Sequence, residues 1–216
     1  MTIYIDGFER SGNTYLTACV ISTLGIEISP LFAHDVLCLK EKEKGSLFVV
    51  PVRDALPSIV SAKLFRDYKK QNNIREHDKR TGDPEELIQR YTEYTEYLID
   101  NDEFFIAPFK EFTEDHNKVI DVMIKNFSEY SAVQRFTKQQ MINICNAYYS
   151  DIHSYTLNKE NSPYLNNFPR QEAKEKKDIE EMFKSEYSKE ISNIQSNIDE
   201  LYKRYYREEA EYGNIG

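Results

Sequence analysis

Ile3-Tyr4-Ile5-Asp6-Gly7-Phe8-Glu9-Arg10-Ser11-Gly12-Asn13-Thr14-Tyr15-Leu16 runs from β-branched and aromatic residues through a small polar turn into an apolar segment. That order reads as strand, loop and helix. A loop so placed gathers successive backbone N–H groups around one point, and the first turn of the helix behind it leaves its donors unpaired. The expected ligand carries phosphate or sulfate.

Gly7, Gly12 and Thr14 keep the spacing of the phosphate loop G-x-x-x-x-G-K-[ST], but Asn13 stands where the lysine belongs. An amide has no charge with which to neutralise β- and γ-phosphates in a transition state, which argues against ordinary nucleoside triphosphate hydrolysis. Arg10, two residues ahead of Gly12, returns a cation to the loop, where its planar fork can hold two oxygens of one anion. The competing reading of Arg10 is a loop arginine in a surface ion pair.

A chain of 216 residues is long enough for one α/β domain with a full core and a helical appendage. Its net charge of −9 makes nucleic acid or an anionic membrane surface a poor partner, so the anion site has to be a local basic pocket. Met1 stands one residue ahead of the first strand, leaving no room for a leader, and no apolar run reaches membrane-spanning length. A cytoplasmic protein is expected. Cys19, Cys38 and Cys145 are widely spaced and odd in number, which suits core thiols in a reducing compartment and gives no zinc spacing.

Downstream, Tyr15 to Leu24 is apolar on most sides and stops at Gly25, as a helix packed on a sheet would. Ser46 to Asp54 holds a nearly continuous apolar run, the mark of a strand buried on both faces of a parallel sheet. Arg53 and Asp54 fall at its carboxyl end, where open α/β sheets place ligands. A helix starts near Ala55-Leu56-Pro57 and continues to Phe65; Arg66 to Asp83 is polar and partly basic and reads as a mobile lid. Glu85 to Asp100 has a helical period, Phe104 to Phe109 is a third strand, and His116 to Phe127 and Thr137 to Tyr149 are further helices. Ile179, Phe183, Tyr187, Ile191, Ile194, Ile198, Leu201 and Tyr205 recur at helical spacing, so Gln171 to Glu211 should form one or two amphipathic helices. The expected division is residues 1–170 as an α/β domain and residues 171–216 as a helical extension, packed on or beside it or joining two copies as a homodimer.

Arg10-Ser11-Gly12-Asn13-Thr14-Tyr15, taken with Arg53 and Ser61 eight residues apart, resembles the sulfotransferases that use 3′-phosphoadenosine 5′-phosphosulfate. In that family the first strand is followed by [KR]-S-G-[TN]-T-[WYL], and a strand-end arginine with a serine eight residues later grips the 3′-phosphate. Phe105-Ile106-Ala107-Pro108-Phe109-Lys110-Glu111-Phe112 looks like the family's later strand and the turn after it, so the likeness covers roughly residues 3 to 127. The resemblance implies a three-layer P-loop-type fold with a mostly parallel central sheet flanked by helices. It also implies a nucleotide site made of Arg10, Ser11, Gly12, Asn13, Thr14, Tyr15, Arg53 and Ser61, with Tyr15 a candidate to stack on the adenine; an aromatic packed in the core at the helix start is the competing reading of Tyr15. The spacing has its own logic: eight residues span the turn and two helical turns, which returns the Ser61 hydroxyl to the face where Arg53 emerges. Two anion sites call for a ligand phosphorylated at two separated places, as ATP is not. The competing reading of Arg53 is a structural ion pair with a nearby carboxylate. The chain departs from the family in being short and in lacking its basic-glycine motif near the C-terminus.

The same resemblance implies sulfuryl transfer, with Arg10, the loop N–H groups and the Thr14 hydroxyl stabilising the departing bridge oxygen. His34 is the first candidate base, because it lies between the loop helix and the Arg53 strand, where the family places a histidine or glutamate. Asp35 would orient or replace it, Glu27 is a further alternative, and a strand-end histidine with no catalytic part is the plain reading. No metal is expected; the partners implied are the nucleotide co-substrate and a hydroxyl- or amine-bearing acceptor. Two other classes stay open: a P-loop nucleotide or nucleoside kinase with Asp54 as its carboxylate, which Asn13 opposes, and a non-catalytic nucleotide-fold protein that acts in assembly through its C-terminal helices.

Overall fold

The computed structural model describes residues 3–9, 16, 17, 20, 36–40, 47–71, 81–113, 118–127, 136–144 and 173–212. Strands β1 (Ile3–Ile5), β2 (Leu47–Val52) and β3 (Phe105–Pro108) form one parallel sheet in the order β1-β2-β3. Ile5 lies opposite Val49, and Val52 opposite Pro108, so the three carboxyl ends share one edge. Phe48, Val49, Val50 and Val52 are all buried, as the uninterrupted apolar run of a middle strand requires.

Pro51 sits in that middle strand, where a missing N–H usually breaks a ladder. Its placement has a local explanation. Val49 turns its carbonyl toward β1 and accepts the Asp6 N–H at 3.2 Å. Two residues on, Pro51 faces the same side, level with the chain beyond Ile5, where the β1 ladder has ended.

The helices are α1 (Val36–Lys40), α2 (Ala55–Gln71), α3 (Pro84–Asp100), α4 (Phe109–Thr113), α5 (Lys118–Phe127), α6 over residues 138–144, α7 (Ala173–Glu186) and α8 (Ser188–Tyr212). Leu16, Thr17 and Val20 are also helical, in keeping with the strand, loop and helix order at the start of the chain. The result is a mostly helical α/β fold in which helices flank a small parallel sheet. Among the described residues no helix is long and apolar enough to cross a membrane.

Local chemistry sets the helix ends. Pro57 falls in the first turn of α2, where backbone N–H groups have no intrahelical acceptor, and Pro84 opens α3 for the same reason. Gly82 has φ +75, and a Cβ there would lie 2.4 Å from Cβ of Arg66. Glycine is therefore required twice over, by the left-handed backbone and by the contact.

Two expectations need correction. Residues 66–71 are the last turns of α2 and not part of a lid: Arg66 is only 5% exposed, because its guanidinium neutralises a buried carboxylate described below. Residues 72–80 of the expected lid lie outside the described residues. The turn expected after the third strand is itself helical, as α4.

The C-terminal segment joins the core. Phe183 of α7 and Ile194, Ile198 and Leu201 of α8 belong to the same buried cluster as Phe48, Leu87 and Leu98. Helix α8 lies against α2, α3 and β3. Arg204 donates to the carbonyls of Leu98 (3.1 Å), Asn101 (3.2 Å) and Phe104 (3.1 Å), a cation closing the carboxyl end of α3.

Candidate functional site

Because β2 and β3 run side by side and end together, the residues that follow them are neighbours: Arg53 and Asp54 after β2, Phe109 and Lys110 after β3. The Arg53 guanidinium lies over the Phe109 ring at 4.6 Å from its centroid. Lys110 Nζ pairs with Asp54 Oδ2 at 2.9 Å. Together with Pro57 and Thr113 these four residues line a cleft of about 290 Å³ at the carboxyl edge of the sheet. This is the position at which open α/β sheets bind ligands.

The backbone beneath the cleft is held from two directions. The buried Tyr91 hydroxyl of α3 donates to the Arg53 carbonyl at 2.5 Å. From α8, the Tyr202 hydroxyl donates to the Val52 carbonyl at 3.1 Å and reaches Asp54 Oδ1 at 3.5 Å. Gln195, about two turns earlier on α8, offers Oε1 to the Ala55 N–H at 3.0 Å, satisfying a donor at the start of α2. The strand end that carries Arg53 is therefore fixed at its carbonyls and at the first amide of the following helix.

Burial also sets the ionisation of these groups. Desolvation draws the Arg53 pKa below its ordinary value, against Tyr91, Asp54 and Tyr202, which favour the charged guanidinium. Burial pushes the Tyr91 phenol up, opposed by the Ser58 hydroxyl and Arg53. Burial likewise pushes Tyr202 up, and the Asp54 carboxylate adds to it. Both phenols stay protonated at neutral pH, as their roles as donors require.

Ser61 is half-buried on α2, one turn beyond Pro57 on the same face. The loop after β1 is anchored separately. Glu9, 4% exposed, accepts from Arg66 Nε (3.0 Å) and Arg66 Nη2 (2.7 Å), and from Arg90 Nη1 (3.0 Å). Next to it, Phe8 stacks on Tyr91 with centroids 4.0 Å apart. Tyr91 thus touches both the start of the loop and the backbone of Arg53.

Of the expected site residues, Arg53 and Ser61 lie within the described structure, on the strand end and the helix where they were expected. Arg10, Ser11, Gly12, Asn13, Thr14, Tyr15 and His34, with the alternatives Asp35 and Glu27, lie outside the described residues. The structure adds Phe109, Lys110, Tyr91, Tyr202 and Gln195 to the neighbourhood of Arg53. The first two were open to the same reading as Arg53 and Asp54, since they too follow an apolar run directly. Comparison with family models, with curated proteins and with solved structures finds no match.

Proposed function

We propose that this chain is a sulfotransferase that moves a sulfuryl group from 3′-phosphoadenosine 5′-phosphosulfate to a hydroxyl or amine acceptor, on a three-layer P-loop-type fold. The observation that carries the reading is the placement of Arg53 at the carboxyl end of the middle strand, on the rim of a cleft, with Ser61 eight residues on in the helix that follows. That pair suits the 3′-phosphate. The loop beginning at Glu9 then takes the sulfonated end, with Arg10 as its cation and Thr14 as a hydroxyl donor.

In the reaction the acceptor oxygen attacks sulfur in line, the bond from sulfur to the bridging phosphate oxygen breaks, and 3′-phosphoadenosine 5′-phosphate leaves. Arg10 and the loop N–H groups stabilise the charge on the departing oxygen. His34 takes the acceptor proton, with Asp35 as its orienting carboxylate. Support for the reading lies in the sequence of the loop that follows β1 and in Arg53 after β2, two strands whose carboxyl ends share one edge, as a nucleotide phosphorylated at both its 3′- and 5′-positions requires.

The test is thermal stabilisation by nucleotides. A ligand bound at a hundred times its Kd stabilises the folded state by about 2.7 kcal/mol, which raises the Tm of a chain this size by several degrees. 3′-Phosphoadenosine 5′-phosphate should do this and 5′-AMP much less. Equal shifts from ATP with magnesium would make the chain a kinase, and no shift from any nucleotide would leave an assembly protein. His34→Ala should retain the nucleotide shift and lose turnover.

A further inference from the structure

The cleft beside Arg53 holds two cations, Arg53 and Lys110, against one carboxylate, Asp54. The cations differ in how they are held. Arg53 is fixed by the Phe109 ring at 4.6 Å and by a backbone tied to Tyr91 and Tyr202. Lys110 is 59% exposed and reaches Asp54 Oδ2 at 2.9 Å from the far wall. An exposed lysine on a flexible stem changes partner at little cost, since a solvated ion pair of this kind is weak.

We propose that Lys110 is the second cation of a phosphomonoester site in this cleft, and that Asp54 holds its place until the phosphate arrives. The identity of that phosphate as the 3′-group of the nucleotide rests on the function proposed above. On binding, the phosphate oxygens take the Arg53 fork on one side and the Lys110 ammonium on the other. Asp54 gives up Lys110 and keeps the Tyr202 hydroxyl, 3.5 Å from its other oxygen. The exchange selects for charge. A phosphomonoester carries close to two negative charges at neutral pH, enough to draw Lys110 from a single carboxylate, whereas a phosphodiester or sulfate ester carries one. The resemblance gives the site Arg53 and Ser61; the third contributor comes from α4, directly after the neighbouring strand.

Isothermal titration calorimetry with 3′-phosphoadenosine 5′-phosphate, 5′-AMP and inorganic phosphate tests this on the full chain, on Lys110→Gln and on Asp54→Asn. Lys110→Gln is expected to weaken both 3′-phosphoadenosine 5′-phosphate and inorganic phosphate about tenfold or more, the usual worth of a charged hydrogen bond. Asp54→Asn is expected to tighten both several-fold, because it removes the competing charge while leaving an acceptor for Tyr202. Tightening cannot arise from damage to the fold. Unchanged affinity in Lys110→Gln, or weakened phosphate binding in Asp54→Asn, overturns the proposal even where the nucleotide binds well. Should inorganic phosphate bind with this pattern while 3′-phosphoadenosine 5′-phosphate binds no better than 5′-AMP, the site stands and the sulfotransferase reading falls. If none of the three binds the unaltered chain, both fall.

Discussion

Removing the Glu9 carboxylate should be among the most damaging single changes in the described structure. Glu9 is 4% exposed and Arg66 5%, and three charge-assisted bonds of 2.7 to 3.0 Å join Glu9 to Arg66 and Arg90. Glu9→Ala takes from the buried Arg66 the carboxylate that accepts two of its bonds, and from Arg90 the carboxylate that accepts a third, while Arg90 keeps Glu86 at 4.0 Å. Breaking a buried pair from one side costs about 3–5 kcal/mol; with a urea m-value of ~2 kcal/mol/M, the unfolding midpoint falls by ~1.5–2.5 M. Arg90→Ala should cost less, near 1 kcal/mol on the same reasoning, because Arg90 is 14% exposed and Glu9 keeps Arg66.

The cost belongs to the buried charge that loses its carboxylate more than to the contact itself, and that gives a second arm. Glu9→Leu with Arg66→Met replaces both partners by apolar side chains of similar reach, and Met keeps its stem against Gly82. Such exchanges are often neutral, so the double variant should unfold within about 1 kcal/mol of the parent chain. Urea denaturation followed by circular dichroism measures all of these. A midpoint shift under about 0.5 M for Glu9→Ala, or a double variant no more stable than its worse single, would refute a buried, mutually dependent cluster at the start of the loop.

Gly82→Ala forces a Cβ to within 2.4 Å of Arg66 Cβ at φ +75, so roughly 1–3 kcal/mol and a Tm drop of several degrees by scanning fluorimetry are expected; an unchanged Tm would show that the turn relaxes freely. Tyr91 and Tyr202 both keep their protons to higher pH in the fold than when unfolded, so their contribution is complete below the ordinary tyrosine value of about 10 and is lost as pH rises past it. Unfolding midpoints should therefore fall from about pH 10 upward, and Tyr202→Phe should flatten that fall; an unaltered alkaline limb would remove Tyr202 from the account. At neutral pH Tyr202→Phe should cost about 1 kcal/mol for the hydrogen bond to Val52, read by the same urea titration.

How much of this was legible in the sequence depends on distance along the chain. The strand ending at Arg53 could be read because an apolar run stopped at adjacent charges, and buried parallel strands look like that. Ser61 was singled out by the family resemblance, and regular helical spacing accounts only for its place on the helix after Arg53. The partners of those residues follow no such rule. Tyr202 and Val52 are separated by 150 positions and Glu9 and Arg66 by 57, and periodicity predicts only pairs three or four apart. Arg66 was misread for that reason. In a polar, basic run it looked like an exposed residue of a lid, when a carboxylate from the other side of the fold had drawn it inside. Tyr202 gave no signal either, since a tyrosine beside the apolar stripe of an amphipathic helix is ordinary.

The position of α8 bears on which of the rival functions the C-terminal segment can serve. Its apolar stripe, Ile194, Ile198 and Leu201, is already buried in the chain's own core, and Gln195, Tyr202 and Arg204 are bonded to backbone groups around the cleft and at the end of α3. Assembly through that stripe would strip the core, free the Ala55 amide and release the strand end that aims Arg53. An assembly role for α8 is therefore confined to its outer face, where Tyr206 is 45% exposed and donates to Glu111 at 2.6 Å. The helix that the sequence presents as an appendage is, in its packing, one wall of the support for Arg53. Substitutions on the face of α8 that carries Gln195 and Tyr202 would therefore shift the strand end that holds Arg53, the cation proposed above for anion recognition.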